Sequence, residues 1–238
     1  MPHYDHVLVT GASRGLGAAL SEALLQRGHR VLMAARDAAE GERRCAALVA
    51  AHGPRIAWCT LDLADTAGIA AFAADAQQRH GPLDAVINNA GIGSVRPFAD
   101  TPAEDIEHVI RVNLLAPMLL AHALLPGWRE RRRGMVVNVA SDLARRPLAN
   151  MAPYVASKFG LLGFAGSLLR EVKGQGVKVS TVLPGIIDTA FNGAVPGSKD
   201  PTWALQPAEL AERIVDLLHL PEHMVVDELT IHPMQQDF

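Results

Sequence analysis

The sequence predicts a doubly wound α/β fold, in which a parallel sheet of about seven strands carries helices on both faces, as one domain over residues 1–238. Three observations predict it. Short apolar runs alternate with helically spaced ones along the whole chain. The short runs are continuously apolar, as expected of strands covered on both faces. A glycine-rich turn, Gly11, Gly15 and Gly17, directly follows the first of them and opens the first helical stretch.

Residues 7–10 form the first expected strand, and residues 16–27 a helix stopped by Gly28. Residues 30–35 give a strand, 38–51 a helix closed by Gly53, 56–61 a strand, and 65–80 a helix ending at Gly81. Residues 85–87 form the next strand. Thr101, Pro102 and Glu104 then read as a capping residue, a first-turn proline and the acid of a capping box, so a long helix is expected to begin there. Strands at 134–139, 177–183 and 225–231 alternate with helices at 152–172 and 207–218. The Gly/Pro/Ser-rich segment 192–201 lies between a strand and a helix, where a lid over a ligand would sit.

Composition excludes several classes of function. With 49% hydrophobic and 20% charged residues over 238 positions, the chain has ample material for a core without disulfides. A net charge of −3 offers no field for nucleic acid or anionic lipid. Cys45 and Cys59 have no metal-ligand spacing and read as reduced thiols, and no metal site is expected. Residues 1–6 show no basic segment leading into an apolar stretch, and the apolar region 114–128 is interrupted by Pro117, His122 and Pro126, short of the roughly 20 residues of a membrane span. A cytoplasmic protein is expected. The ten histidines read as surface or helix-end residues, and the run Arg129–Arg133 as a solvated helix end.

The turn Thr10-Gly11-Ala12-Ser13-Arg14-Gly15-Leu16-Gly17 would aim free amides and a helix dipole at a pyrophosphate. Where NAD-preferring folds commonly place an acid after the second strand, this chain has Ala35-Arg36. Arg36 and Arg14 can hold a 2′-phosphate, which favours NADP(H) and leaves NAD(H) as the alternative coenzyme. Asp37 is read as a helix cap, with a reach to the ribose as the alternative.

Tyr154 and Lys158 stand four apart at the start of a helix, on one face. An ammonium there, with the positive ring of an oxidised nicotinamide, would draw the phenol toward the working pH range. Ser141 follows the strand 134–139, at the carboxyl edge where ligands of such sheets bind. A mid-helix Asn113 disfavours regular helix unless its amide finds work.

Together with Asp62, the run Asn88-Asn89-Ala90-Gly91 and Pro184-Gly185 with Thr189, these residues resemble the short-chain dehydrogenase/reductase family with its Rossmann-like fold, over nearly the whole chain. The resemblance implies that Tyr154 is the general acid in reduction and base in oxidation, and that Ser141 polarises the substrate carbonyl. Lys158 would bind the nicotinamide ribose and lower the Tyr154 pKa, and Asn113 would hold a water linked to Lys158. It also implies coenzyme contacts at Asp62, Asn89, Ala90, Gly91, Pro184, Gly185, Ile187 and Thr189. The glycine spacing sets the chain apart from the family branch of sugar epimerases and dehydratases, which makes hydride transfer the whole expected reaction.

Ile92, Leu143, Met151, Ile186 and Phe191 would form a mainly apolar substrate pocket. Arg145 and Arg146 lie in the stretch that lines the substrate mouth in this family, so an acidic substrate is one expectation. The partner would be a small carbonyl or alcohol compound, and the assembly a homodimer or homotetramer with Phe238 at a subunit contact. A non-catalytic NADP(H)-binding sensor or scaffold is the rival reading.

Overall fold

A computed structural model describes residues 4–236. Strands β1 (His6–Thr10), β2 (Arg30–Ala35), β3 (Ile56–Thr60), β4 (Ala85–Asn88), β5 (Gly134–Val139), β6 (Val177–Pro184) and β7 (Glu228–Ile231) form one parallel sheet. Their order is β3-β2-β1-β4-β5-β6-β7. The final strand is shorter than expected, because its pairing with β6 begins only at Thr181↔Glu228.

Helices α1 (Gly15–Gln26), α2 (Ala38–His52) and α7 (Pro207–Asp216) cover one face, where Leu20, Leu24, Leu48 and Ile214 pack on Val9 and Val137. On the other face lie α3 (Ile69–His80), α5 (Ala116–Arg131) and α6 (Ala152–Val172), with Ile69, Leu120, Trp128 and Leu169 packed on Leu8 and Val136. Burying large side chains of this kind stabilises by roughly 1.5–3 kcal/mol each. The segment expected as a helix from 65 begins with a 3₁₀ turn, Thr66–Gly68, because the Asp65 carboxylate accepts from the Gly68 N–H and caps it there.

The capping box expected at Thr101 does not form. Helix α4 (Ala103–Ile110) starts one residue later, with Pro102 at its cap position and no side-chain cap. The Thr101 hydroxyl donates instead to the Pro97 carbonyl at 3.1 Å, closing the preceding turn. From α4 the chain runs through a π-helical turn, Arg111–Leu115, into α5. The joined helix, Ala103–Arg131, is long and apolar enough by composition to cross a bilayer, more so than the 114–128 stretch suggests. Its Ala116, Leu120, Leu124 and Trp128 are buried in the core of the sheet.

Two histidines are not at the surface. His6 and His29 are buried: His29 bridges the Tyr4 carbonyl at 2.6 Å and His219 Nε2 at 3.1 Å, which supplies the partners burial requires. The arginine run at the end of α5 is anchored as well, with Arg131 donating to the Leu83 carbonyl and Arg133 to Asp84. The contact expected of Phe238 lies outside the described residues.

Candidate active site

Strand order reverses between β1 and β4, which opens a crevice at the carboxyl edge of the sheet. Its floor is the glycine turn. A Cβ on Gly17 would lie 2.2 Å from the Gly11 carbonyl oxygen, so only glycine lets α1 approach the turn this closely. Gly15 has φ +55°, a conformation that side chains disfavour. Thr10 and Asn89 lock the turn to the end of β4: the Asn89 side chain donates to the Thr10 carbonyl at 2.9 Å, and the Thr10 hydroxyl accepts from the Asn89 and Ala90 amides.

The start of α1 is built for an anion. Arg14 stands at the cap position with no side-chain cap, and the first turn carries no acid. Its free amides therefore suit a diphosphate. Ser13 is buried in the turn, and Leu16 is in the core beneath it. Arg14 and Arg36 are exposed, and among the described residues neither has a salt bridge. Asp37 is the cap of α2, accepting from the Glu40 amide at 3.1 Å. Asp62 closes the turn after β3 by accepting from the Ala64 amide at 2.9 Å. Across the crevice, the segment after Pro184 and Gly185 brings Thr189 within 3.3 Å of a Cβ placed on Gly15, and Ile187 bridges to Leu205.

Tyr154 lies in the first turn of α6 and is buried, and Ser141 is among the groups that act on its phenol. Lys158, one turn on, places Nζ 5.6 Å from the Tyr154 ring centroid and donates to the Val139 carbonyl at 2.9 Å. The phenol does not show the lowered pKa expected from this neighbour. Burial pushes it up to about 12, with Ser141 opposing and the Asp142 charge adding. Lys158 is brought down to about 8 by burial. Desolvation therefore sets the direction of the Tyr154 shift in the protein alone.

Asn113 finds work of the kind its position demands. In the π turn its Oδ1 accepts from the Ile92 N–H at 2.9 Å, while its Nδ2 donates to the Ile92 carbonyl at 2.8 Å and to Ser157 Oγ at 3.1 Å. Ser157 in turn donates to the Tyr154 carbonyl. A Cβ on Gly91 would fall 3.5 Å from Lys158 Nζ and 3.6 Å from Asn113 Oδ1, so the turn after β4 borders both.

Of the expected pocket residues, Leu143 and Met151 pack with Tyr154 and Val155. The Phe191 ring centroid is 5.7 Å from that of Tyr154, and Ile186 and Phe191 are exposed. Ile92 stands apart, packed toward the core on the α3/α5 face. Arg145 pairs with Glu228 of β7, an engagement at odds with a free guanidinium for an acidic substrate.

Sequence reasoning missed three residues. Asp142 is buried and accepts from Ser141 Oγ at 3.1 Å and from Gln236 Nε2 at 2.7 Å, with His232 Nε2 at 3.6 Å. A carboxylate beside the candidate serine was visible in the sequence. Gln236 and His232, 90 or more positions away, carried no local signal.

Residues 5–199 match the family model described as short chain dehydrogenase. The chain belongs to the short-chain dehydrogenase family. Among relatives in this family, the ketoacyl reductase HetN of Nostoc sp. is 38% identical over 181 residues, covering 76% of this chain and 63% of that protein. The 3-oxoacyl-[acyl-carrier-protein] reductase FabG of Vibrio harveyi is 32% identical over 94% of this chain and 93% of its own. A solved short-chain dehydrogenase fold, the alcohol dehydrogenase of the archaeon Thermococcus sibiricus complexed with 5-hydroxy-NADP, superposes with a TM-score of 0.91 at 28% identity, covering 98% of each chain.

Proposed function

We propose that the protein interconverts a carbonyl and an alcohol with NADP(H), with Tyr154 as its proton carrier. The observation that carries this reading is the buried Tyr154 at the start of α6 with the Lys158 cation 5.6 Å from its ring centroid, in a fold whose glycine turn opens on an uncapped helix N-terminus. Bound NADPH would supply the hydride. The amides of residues 13–17 would hold its diphosphate, Arg14 and Arg36 its 2′-phosphate, and Lys158 its ribose hydroxyls. Asp62, Asn89, Ala90, Gly91, Pro184, Gly185, Ile187 and Thr189 would complete the binding crevice.

In reduction the protonated phenol of Tyr154 gives its proton to the carbonyl oxygen, and Ser141 holds that oxygen in place. Lys158 lowers the cost of the phenolate that remains, and Asn113 keeps the turn at Ile92 fixed beside it. Leu143, Met151, Ile186 and Phe191 shield the reaction from water on an apolar side. The FabG and HetN resemblance favours a ketone, with 3-oxoacyl compounds as the first class to test. The protein is further read as one cytoplasmic domain assembled as a homo-oligomer, a reading that the exposed Leu115, Met118 and Phe159 favour.

A screen of ketones and aldehydes, 3-oxoacyl thioesters included, for coenzyme oxidation tests the reading. Turnover with NADPH exceeding that with NADH is expected. Tight NADPH binding with no turnover on any carbonyl would instead make the protein a coenzyme-binding module.

A further inference from the structure

Two consecutive residues of the C-terminal tail grip the two ends of one loop. After β6 the chain leaves the sheet at Ile186 and returns at Leu205, whose N–H donates to the Ile186 carbonyl at 2.8 Å. On the returning side, the Gln235 N–H donates to the Thr202 carbonyl at 3.0 Å, and the Thr202 hydroxyl donates to Gln235 Oε1 at 3.1 Å. On the departing side, Gln236 Oε1 accepts from the Ile186 N–H at 2.8 Å while its Nε2 donates to Asp142 Oδ2 at 2.7 Å. Both partners dictate how this amide is turned, because a backbone N–H only donates and an ionised carboxylate only accepts. Gly185 leaves the room it needs, since a Cβ there would come within 2.1 Å of Gln236 Oε1.

Asp142 is buried in the turn that follows Ser141, so Gln236 ties the root of the loop to the serine side of the crevice. The loop carries groups toward both occupants of that crevice. Thr189 comes close to Gly15 of the glycine turn, and the Phe191 ring stands 5.7 Å from that of Tyr154. Farther out the loop is folded on itself, with Asp188 accepting from the Gly197 N–H at 2.9 Å and pairing with Lys199 at 3.7 Å.

We infer that Gln236 is a positioning residue for the carbonyl substrate: it clasps the loop that begins at Ile186 to Asp142, and so holds Phe191 in place over Tyr154. The inference rests on the proposed carbonyl chemistry and adds to it the element that sets the substrate side of the crevice. Without the clasp a smaller fraction of molecules has the crevice formed, and KM rises as the reciprocal of that fraction. The proton and hydride steps are unchanged once the substrate is seated.

Gln236→Met keeps the side-chain length and removes both bonds. Gln236→Glu keeps an acceptor for Ile186 but sets a second carboxylate against Asp142. Each is expected to raise KM for the carbonyl about tenfold with kcat within about twofold. Joining Gln236→Glu to Asp142→Asn reverses donor and acceptor across the same bond, and should bring KM back to within about threefold of the parent. A loss of packing would not be repaired by that exchange. A second readout needs neither coenzyme nor carbonyl. Trypsin cleavage after Lys199, followed by fragment mass, should run about tenfold faster in each single variant and return toward the parent rate in the double variant. KM within about twofold of the parent's in both folded single variants overturns the inference, as does a double variant no better than Gln236→Glu. A parent that reduces no carbonyl overturns the proposed function instead. Cleavage rates then still decide the clasp, and equal rates in parent and Gln236→Met overturn it.

Discussion

Lys158 Nζ lies 5.6 Å from the Tyr154 ring centroid, yet its hydrogen bond goes to the Val139 carbonyl, and burial brings its pKa down to about 8. The unfolded chain holds that proton up to the ordinary lysine range. Between those values the unfolded state binds more protons, so stability rises with pH from about 8 upward and is reduced below it. For a shift from 10.5 to about 8, the reduction at pH 7 is about 3 kcal/mol.

Lys158→Met should therefore abolish turnover while raising Tm at pH 7 by roughly 5 °C. Thermal unfolding of the coenzyme-free variant checks this. A lower Tm than the parent would show that the bond to Val139 outweighs the buried charge.

Arg36 and Arg14 stand exposed without salt bridges among the described residues. Arg36→Glu should weaken NADPH binding by roughly tenfold or more and leave NADH within about twofold, since a charge-assisted bond to phosphate is worth ~1.5–3 kcal/mol. Equilibrium titration with each coenzyme measures the ratio. Equal losses for both would remove the 2′-phosphate from the account.

Gly17→Ala places a methyl group 2.2 Å from the Gly11 carbonyl oxygen, too close for backbone to tolerate. Loss of ~1–3 kcal/mol in stability and loss of coenzyme affinity are expected together. Denaturant unfolding with coenzyme titration would detect both. Parent-like values in the two assays would mean that the turn is pliable.

Asn113→Leu keeps the branched side-chain skeleton but strands the N–H and carbonyl of Ile92, both now paired with one amide. A cost of ~2–4 kcal/mol follows if both are left unsatisfied, with turnover reduced as the turn beside Lys158 loosens. Chemical denaturation monitored alongside kcat tests it.

Strand and helix order was legible because the apolar runs change period where the structure changes, and the glycine turn was legible because its residues answer a local steric demand. Asn113 was noticed for the right reason, an amide in a helix needing partners, though nothing in the sequence named Ile92 as that partner. Thr101 misled because its hydroxyl closes the turn before it by donating to the Pro97 carbonyl, a local competitor that the capping pattern does not contain. The pairing of Asp142 with Gln236 joins positions 94 residues apart and could be seen only in the fold. The direction of the Tyr154 shift needed burial as well as spacing, and the sequence supplied only spacing.

The proposed chemistry turns on the Tyr154 hydroxyl delivering the proton. It is tested most directly by following NADPH oxidation by Tyr154→Phe on a carbonyl the parent reduces, with NADPH affinity measured in parallel. Unchanged affinity and a loss of turnover of roughly 10²–10⁴-fold are expected. Undiminished turnover by the phenylalanine variant would contradict it.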